Sequence, residues 1–312
     1  MITKEKLLET YNISPDMFTA AGIAWEDLEY IYTDYFDNKY KIYQEILSEF
    51  EKDYLGNISD KGIHSYRTRV KDAEHLIVKI IRKRHENYKK YRNLDKYNYE
   101  KFLTDLIGIR CFILFKTDWA KFHQYILENI ENNSQYYIDD CLKDFDNDIE
   151  HCYMAEKPKV HIRSGDSREI YERLLEPDAI KSQKIYRSVH YIIKYHGVYI
   201  EIQVRTLFEE GWGEIDHSMV YPYYQDNSVF LQYTKLLNRL AGLADEMGSF
   251  FCEVKRLELE HLQNSVFEDN NMKQAQTFSK GLLKEHEDTK KERPLSELAN
   301  TPAACLDAVI RE

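Results

Sequence analysis

The sequence predicts a mixed α/β fold: a β-sheet flanked by helices, with helical extensions at both ends. Three observations predict it. Leu106 to Phe115 is a near-continuous apolar run, as expected of a central strand buried on both faces. Residues 189–205 hold two alternating segments joined at His196-Gly197, a two-residue hairpin signal. Before and after these strands, apolar residues recur at helical spacing.

Taken in order, residues 1–22 begin with a short helix, and Ser14-Pro15 is a good start for the next. Glu26 to Tyr54 reads as one long helix whose stripe, including Tyr35, Phe36, Tyr43, Leu47 and Phe50, belongs to the core. Gly56 and Gly62 mark a loop, and Ser65 to Lys71 is extended. Residues 72–91 form a basic amphipathic helix with Leu76, Ile77, Ile80 and Ile81 inward. Lys79, Arg82, Lys83 and Arg84 read chiefly as its wet face. Asp118 is placed to cap a helix over 119–130. Residues 131–160 are polar with a weak strand near 149–155, and 165–183 is helix or loop around Pro177. After the hairpin, a helix from Leu207 to about Met219 has Phe208, Trp212, Ile215 and Met219 as its apolar face. A long helix follows from Ser228 to about Leu262, and one more is expected near 302–311.

The chain has 312 residues, 43% of them hydrophobic, and a net charge of −11. Bulk acidity argues against a general nucleic-acid coat, which needs positive charge. Between Arg67 and Arg92, however, ten Lys or Arg stand against three acids, a local site for a phosphate-rich ligand or a solvated helix face. Five scattered cysteines form no CxxC pair, so neither a zinc site nor a disulfide framework is indicated. There is no signal-peptide pattern and no apolar run long enough to span a bilayer, and a cytoplasmic protein without a membrane partner is expected.

The chemistry concentrates in a few residues. On the strand from Tyr199 to Arg205, Glu201, Gln203 and Arg205 point to one side and Ile200, Ile202 and Val204 to the other. A carboxylate, an amide and a guanidinium in a row need water or a ligand on that face. Asp105 precedes the central strand, and with Glu201 it can share a Mg²⁺, which favours carboxylate oxygens and leaves positions for substrate phosphates. Basic residues such as Arg67, Arg69, Lys71 and Lys79 can then neutralise a triphosphate. There is no Gly-rich phosphate loop, so the cradle must be built from side chains.

Five blocks, in this order, are Arg69-Val-Lys71, Asp105-Leu-Ile-Gly-Ile-Arg110, Tyr186-Arg-Ser-Val-His190, Glu201-Ile-Gln-Val-Arg-Thr206 and Trp212-Gly-Glu-Ile-Asp-His217. Together they resemble the synthetase domain of the RelA/SpoT alarmone synthetases, over about Ser65 to Tyr221. The resemblance implies a nucleotidyltransferase-like mixed sheet. It implies transfer of the β,γ-pyrophosphate of ATP to the 3′-hydroxyl of GDP or GTP, making ppGpp or pppGpp, the alarmones of the stringent response. By matching position, Asp105 and Glu201 would be catalytic and would hold Mg²⁺ as cofactor. Arg69, Lys71, Lys79 and Arg110 would bind ATP, and Tyr186 would stack on the acceptor base. His190, Gln203, Arg205 and His217 would complete the acceptor side.

The pattern departs at one place. Family members usually carry glycine before the stacking tyrosine, often after asparagine, whereas Lys184 and Ile185 stand here, so an acceptor loop of different shape is expected. No His-Asp dipeptide occurs, and degradation of the product is not expected. The resemblance divides the chain into N-terminal helices (1–60), a synthetase domain (61–222), a C-terminal helix (223–267) and a polar, flexible tail (268–312). Two further functions compete: a toxin that pyrophosphorylates the 3′ end of tRNA, and a non-catalytic nucleotide-binding module. Residues 222–312 are candidates for packing on the catalytic domain, for homo-oligomer formation, or for binding a neutralising protein, as in a toxin–antitoxin pair.

Overall fold

The computed structural model describes residues 3–137, 151–183, 185–219 and 227–291. The chain divides into two compact units, Met1–Phe250 and Phe251–Glu312; the described part of the second is helical.

The first unit is built on a seven-stranded sheet: β1 (Ser65–Val70), β2 (Ile107–Ile113), β3 (Tyr153–Met154), β4 (Lys159–Arg163), β5 (Ile180–Gln183), β6 (Ser188–Tyr195) and β7 (Val198–Thr206). Their spatial order is β1-β2-β7-β6-β4-β5, with β3 added beside β6. The β2–β7 and β4–β5 pairs are parallel and the other pairs antiparallel, a mixed sheet as the patterning predicts. Central β2 buries Ile107, Ile109 and Cys111 completely. On β7, Ile200, Ile202 and Val204 are buried while the alternate residues face the other side. The hairpin turns at His196 and Gly197, both with positive φ, the conformation that matches strand twist.

Helices cover the sheet. Helices α1 (Lys4–Thr10) and α2 (Pro15–Ala21) come first, and the Ser14 hydroxyl accepts the Met17 N–H at 3.1 Å, as the Ser-Pro signal predicts. The expected long helix is α3 (Trp25–Asp34) and α4 (Tyr40–Phe50), joined and followed by π-helical turns at Tyr35–Lys39 and Glu51–Leu55. Each π turn adds a residue and rotates the apolar stripe. Tyr35, Tyr43, Leu47 and Phe50 stay in the core, but Phe36, expected with them, is 59% exposed.

Helix α5 (Ala73–Glu86) is capped by Asp72, whose carboxylate accepts the Glu74 and His75 N–H groups, and its four expected apolar residues are buried. Arg84 corrects the wet-face reading. It is 4% exposed and donates to the carbonyls of Ala21, Gly22, Tyr91, Arg92 and Leu94. One guanidinium thus ties α2, α5 and the segment after α6 (Tyr88–Tyr91) together. Helices α7 (Tyr99–Phe102), α8 (Trp119–Asn129) and α9 (Glu169–Glu172) follow. Asp118 does not cap α8: it lies in a helical turn itself, and its carboxylate bonds Lys121 Nζ at 3.2 Å. Strands β4 and β5 occupy segments without a strand prediction. The last helices are α10 (Leu207–Met219) and α11 (Ser228–Lys291), the latter longer than its apolar pattern. The helix expected near 302–311 lies outside the described residues, and so does Lys184. Among the described residues no helix is long and apolar enough to cross a membrane.

Gly62 fixes the entry to β1. Its φ is +87°, and a Cβ there would lie 2.6 Å from the Asp118 carbonyl oxygen. Gly62→Ala is therefore expected to cost on the order of 1–3 kcal/mol, read as a lower denaturation midpoint.

Candidate functional site

The open face of the sheet is set by register. Arg67 on β1 pairs with Arg110 on β2, Arg110 with Gln203 on β7, Gln203 with His190 on β6, and His190 with Lys159 on β4. The next row runs Arg69, Gly108, Glu201. Gly108 has no side chain, and Arg69 lies across it, with Cγ and Nε 3.6 Å from where a Cβ would be. A cleft of about 340 Å³ opens over these rows, lined by Arg69, Arg110, Glu201, Gln203, Glu214 and His217 among others. A second cavity of about 730 Å³, bordered by Lys71, Lys79, Arg82, Lys83 and Asp105, shares Arg69, His75 and His217 with the first. The register of α5 turns His75 to the cleft.

Asp105 is buried at the foot of β2. Its Oδ2 accepts from Lys71 Nζ at 2.9 Å and from Lys79 Nζ at closer range. Burial pushes this carboxyl up, but the two ammonium groups outweigh burial and hold it at about 2. Burial in turn lowers Lys79, which Asp105 only partly offsets. Oδ1 of Asp105 is buried without a hydrogen-bond partner among the described residues.

Glu201 is the second acid, and Asp105 and Lys79 both act on its charge, which places the three in one electrostatic neighbourhood. Its Oε1 meets His190 Nδ1 at 3.2 Å and its Oε2 accepts from Gln203 Nε2 at 2.8 Å. Burial pushes the Glu201 carboxyl up; the His190 hydrogen bond and charge prevail, and it titrates below the ordinary glutamate range. The chain of bonds continues outward: His190 Nε2 to the Tyr186 hydroxyl at 2.8 Å, that hydroxyl to Arg205 Nη2 at 2.8 Å, and Arg205 Nη2 to Gln203 Oε1 at 2.6 Å. His190 thus bridges Glu201 and the Tyr186 hydroxyl, which also accepts from Arg205. Arg205 also lies over the Tyr186 ring, 5.1 Å from its centre. His161 packs edge-on against Tyr186 and His190, and burial lowers it to about 4.

Helix α10 corrects a second reading. Trp212 is buried as expected, but Phe208, Ile215 and Met219 are about half exposed. The inward side carries Glu209 and Glu210 instead. Glu210 accepts from Arg110 Nη1 at 2.7 Å and from Arg205 Nη1 at 3.2 Å, while Glu214 pairs with Arg110 and lies 4.0 Å from Arg67. Opposite charge on the sheet makes this acidic face the interior one. Burial lowers His217, and the neighbouring arginines add to this.

The chain on either side of Tyr186 is anchored. Arg187 is 8% exposed and meets Asp245 at 2.9 Å, Asp166 at 3.2 Å and Glu209 at closer range. Asn238 of α11 donates to the Ile185 carbonyl at 2.9 Å. Asp166, Glu209, Asn238 and Asp245 were not singled out in the sequence, and Arg187, though inside the Tyr186–His190 block, was given no role there.

A third cavity, about 820 Å³, borders Glu201 and His190 from the other side. Its lining includes Lys83, Lys89, Lys90, Arg92, Lys101 and Lys157. The first three and Arg92 belong to the basic run seen in the sequence; Lys101 and Lys157 join them only through the fold.

Of the expected site residues, Asp105, Lys71, Lys79 and Arg69 thus gather on one side of Glu201, and His190, Gln203, Tyr186 and Arg205 form its bonded chain. Arg110 and His217 line the cleft between them. Asp105 also supplies a test of this electrostatics. A carboxyl lowered from 3.8 to about 2 stabilises the fold above its unfolded value and loses that contribution as pH falls toward 2. The stability difference between the wild type and Asp105→Asn is expected to be constant at neutral pH and to shrink below 3.8, measured by urea unfolding across pH.

Fold and cleft define an α/β protein with Glu201 on its sheet and Asp105 just before β2, beside cationic cavities. Residues 68–226 match the family described as a region found in RelA / SpoT proteins. The chain belongs to this family. No curated protein matches the sequence. Among solved structures it is similar to a GTP pyrophosphokinase family protein from Streptococcus pneumoniae (19% identity, 75% of this chain and 97% of that one, TM-score 0.43). It is also similar to the small alarmone synthetase 1 from Bacillus subtilis, bound to its product pppGpp (18%, 71% and 96%, TM-score 0.42) and bound to AMPCPP (17%, 74% and 97%, TM-score 0.38).

Proposed function

We propose that the protein is a pyrophosphokinase that moves the β,γ-pyrophosphate of ATP onto the 3′-hydroxyl of GDP or GTP. The observation that carries the reading is the place of Glu201: it borders the cleft containing Arg69 and Arg110 on one side and the large basic cavity on the other. A donor phosphate in the first and an acceptor in the second would meet at its carboxylate.

Arg69, Lys79 and Arg110 are suited to the donor phosphates, and Lys71 holds Asp105 in place. Glu201, kept ionised by His190, accepts the hydrogen of the 3′-hydroxyl. The hydroxyl oxygen forms a bond to the β-phosphorus, the bond from that phosphorus to the α–β bridging oxygen breaks, and AMP leaves. The Tyr186–Arg205 pair holds His190 and offers the free part of the ring to a base. The donor set suits Mg²⁺: two carboxylates, one with a buried, unbonded oxygen, beside a place for phosphate oxygens. Asp105 and Glu201 would hold the ion, which when bound neutralises charge on the transferred group.

The basic cavity favours a second reading, transfer to the 3′ end of tRNA. Its six named cations exceed what a nucleoside diphosphate needs and suit a polyphosphate backbone. Purified protein with labelled ATP, Mg²⁺ and, in parallel, GDP, GTP, ATP or tRNA separates the readings. Label on GDP or GTP supports the first, label on tRNA the second. Label on no acceptor rejects both and leaves a binding module.

A further inference from the structure

The inner face of α11 is polar where a packed helix is ordinarily apolar. Within the first unit, Thr234, Asn238 and Asp245 are buried there around Ala241. Two of them grip the chain on the two sides of Tyr186. Asn238 Nδ2 donates to the Ile185 carbonyl at 2.9 Å, and two turns further along Asp245 accepts from Arg187 Nη2 at 2.9 Å. The partners fix which way the Asn238 amide points. A carbonyl takes only a donor, so the nitrogen faces Ile185, and the side-chain oxygen is left toward Arg163 Nη1 at 3.5 Å. Arg163 also donates to the Asn238 backbone carbonyl at 3.1 Å and is itself held by Asp166 at 2.9 Å. Gly242, one turn on, leaves the room this guanidinium needs, since a Cβ there would collide with it.

We infer that Asn238 is a positioning residue for the acceptor: through the Ile185 carbonyl it sets the direction in which the chain enters Tyr186, a role that rests on the pyrophosphokinase reading. The peptide unit from Ile185 to Tyr186 is planar, so a bond to its carbonyl orients the whole unit and the backbone nitrogen of Tyr186 with it. The Arg187 cluster pins the other side. With both flanks held, the Tyr186 hydroxyl stays where it meets His190 and Arg205, and the ring stays where a base would stack. Asn238 itself borders none of the three cavities, so it acts on the acceptor only through this backbone.

Asn238→Asp keeps the shape and an acceptor toward Arg163, but turns the donor into a second acceptor facing the Ile185 carbonyl. Steady-state transfer by the purified full chain is measured with GDP, GTP and tRNA each offered as acceptor. KM for the acceptor is expected to rise about tenfold, the scale of one buried hydrogen bond, with KM for ATP and kcat within about twofold. Asn238→Ala should do the same, and serves if the aspartate variant folds poorly. Tyr125→Phe removes a like bond, from a hydroxyl to the Tyr54 carbonyl at 2.9 Å, away from the three cavities. It controls for lost stability and should leave KM for the acceptor unchanged. Amide hydrogen exchange over residues 185–190 reads the brace without catalysis. It should quicken in both Asn238 variants and not in Tyr125→Phe. An unchanged acceptor KM in an active Asn238→Asp protein, or exchange no faster than in the wild type, overturns the proposal. A wild type that transfers to none of the acceptors rejects the pyrophosphokinase reading instead, and the exchange result then still decides whether Asn238 holds the segment.

Discussion

Glu201→Gln is expected to lower the rate of pyrophosphate transfer by about 10²–10⁴-fold, the range associated with losing a positioned acid–base group. The replacement keeps length and one carbonyl oxygen, so the His190 contact survives, and the fold should lose little. What disappears is an ionised oxygen that accepts a hydroxyl hydrogen. Because Glu201 titrates below the ordinary range, the wild-type carboxylate remains charged into mild acid. The wild-type rate should therefore hold on the acid side until this group protonates, whereas the variant should show no limb from it. Steady-state rates across pH check both points, with KM for ATP expected to move far less than kcat. A variant with full kcat would remove Glu201 from the chemistry.

Arg187→Met should give the largest loss of stability, about 3–5 kcal/mol at neutral pH. The guanidinium is buried among Asp166, Glu209 and Asp245, and the variant leaves these acids with less compensation. Asp245 is already raised by burial in the intact protein. Without Arg187, whose charge lowers it, Asp245 should be raised further, and a carboxyl raised by folding favours the folded state as pH falls through its folded value. The deficit should therefore shrink on acidification, because acid relieves the variant, whereas the Asp105 deficit shrinks because acid weakens the wild type. Urea midpoints at neutral and mildly acidic pH would read this directly; a deficit that grows in acid would contradict it. Tyr186 is the adjacent residue, so KM for the acceptor should rise together with the instability.

The strands that carry the chemistry were legible because their patterns are local. Glu201, Gln203 and Arg205 alternate with Ile200, Ile202 and Val204, and a two-residue turn fixes the pairing of β6 with β7. Asp105 and the apolar run after it announce β2. Short β4 and β5 were not legible, since five and four residues with polar neighbours give no period to read. Buried charge was the larger blind spot. Arg84, Arg187, Glu209 and Glu210 look like surface residues in a sequence, because ionised groups are seldom interior unless paired. Partners such as Ala21 for Arg84, Asp245 for Arg187 and Arg110 for Glu210 lie far away in the chain, and pattern reading does not see them. The same blindness reversed the faces of α10 and left Phe36 in the wrong place once the π turn had shifted the phase. The basic run from Arg67 to Arg92 was visible, but its division between structural Arg84 and cavity-lining Lys83, Lys89 and Lys90 was decided by tertiary contacts.

Glu210 is shared by Arg110, which lines the cleft, and Arg205, which reaches the Tyr186 hydroxyl. On the proposed function, an anion that draws Arg110 away would leave the whole carboxylate to Arg205 and through it would steady the Tyr186 ring on which an acceptor base would stack. On that reading the two proposed reactants would bind with synergy.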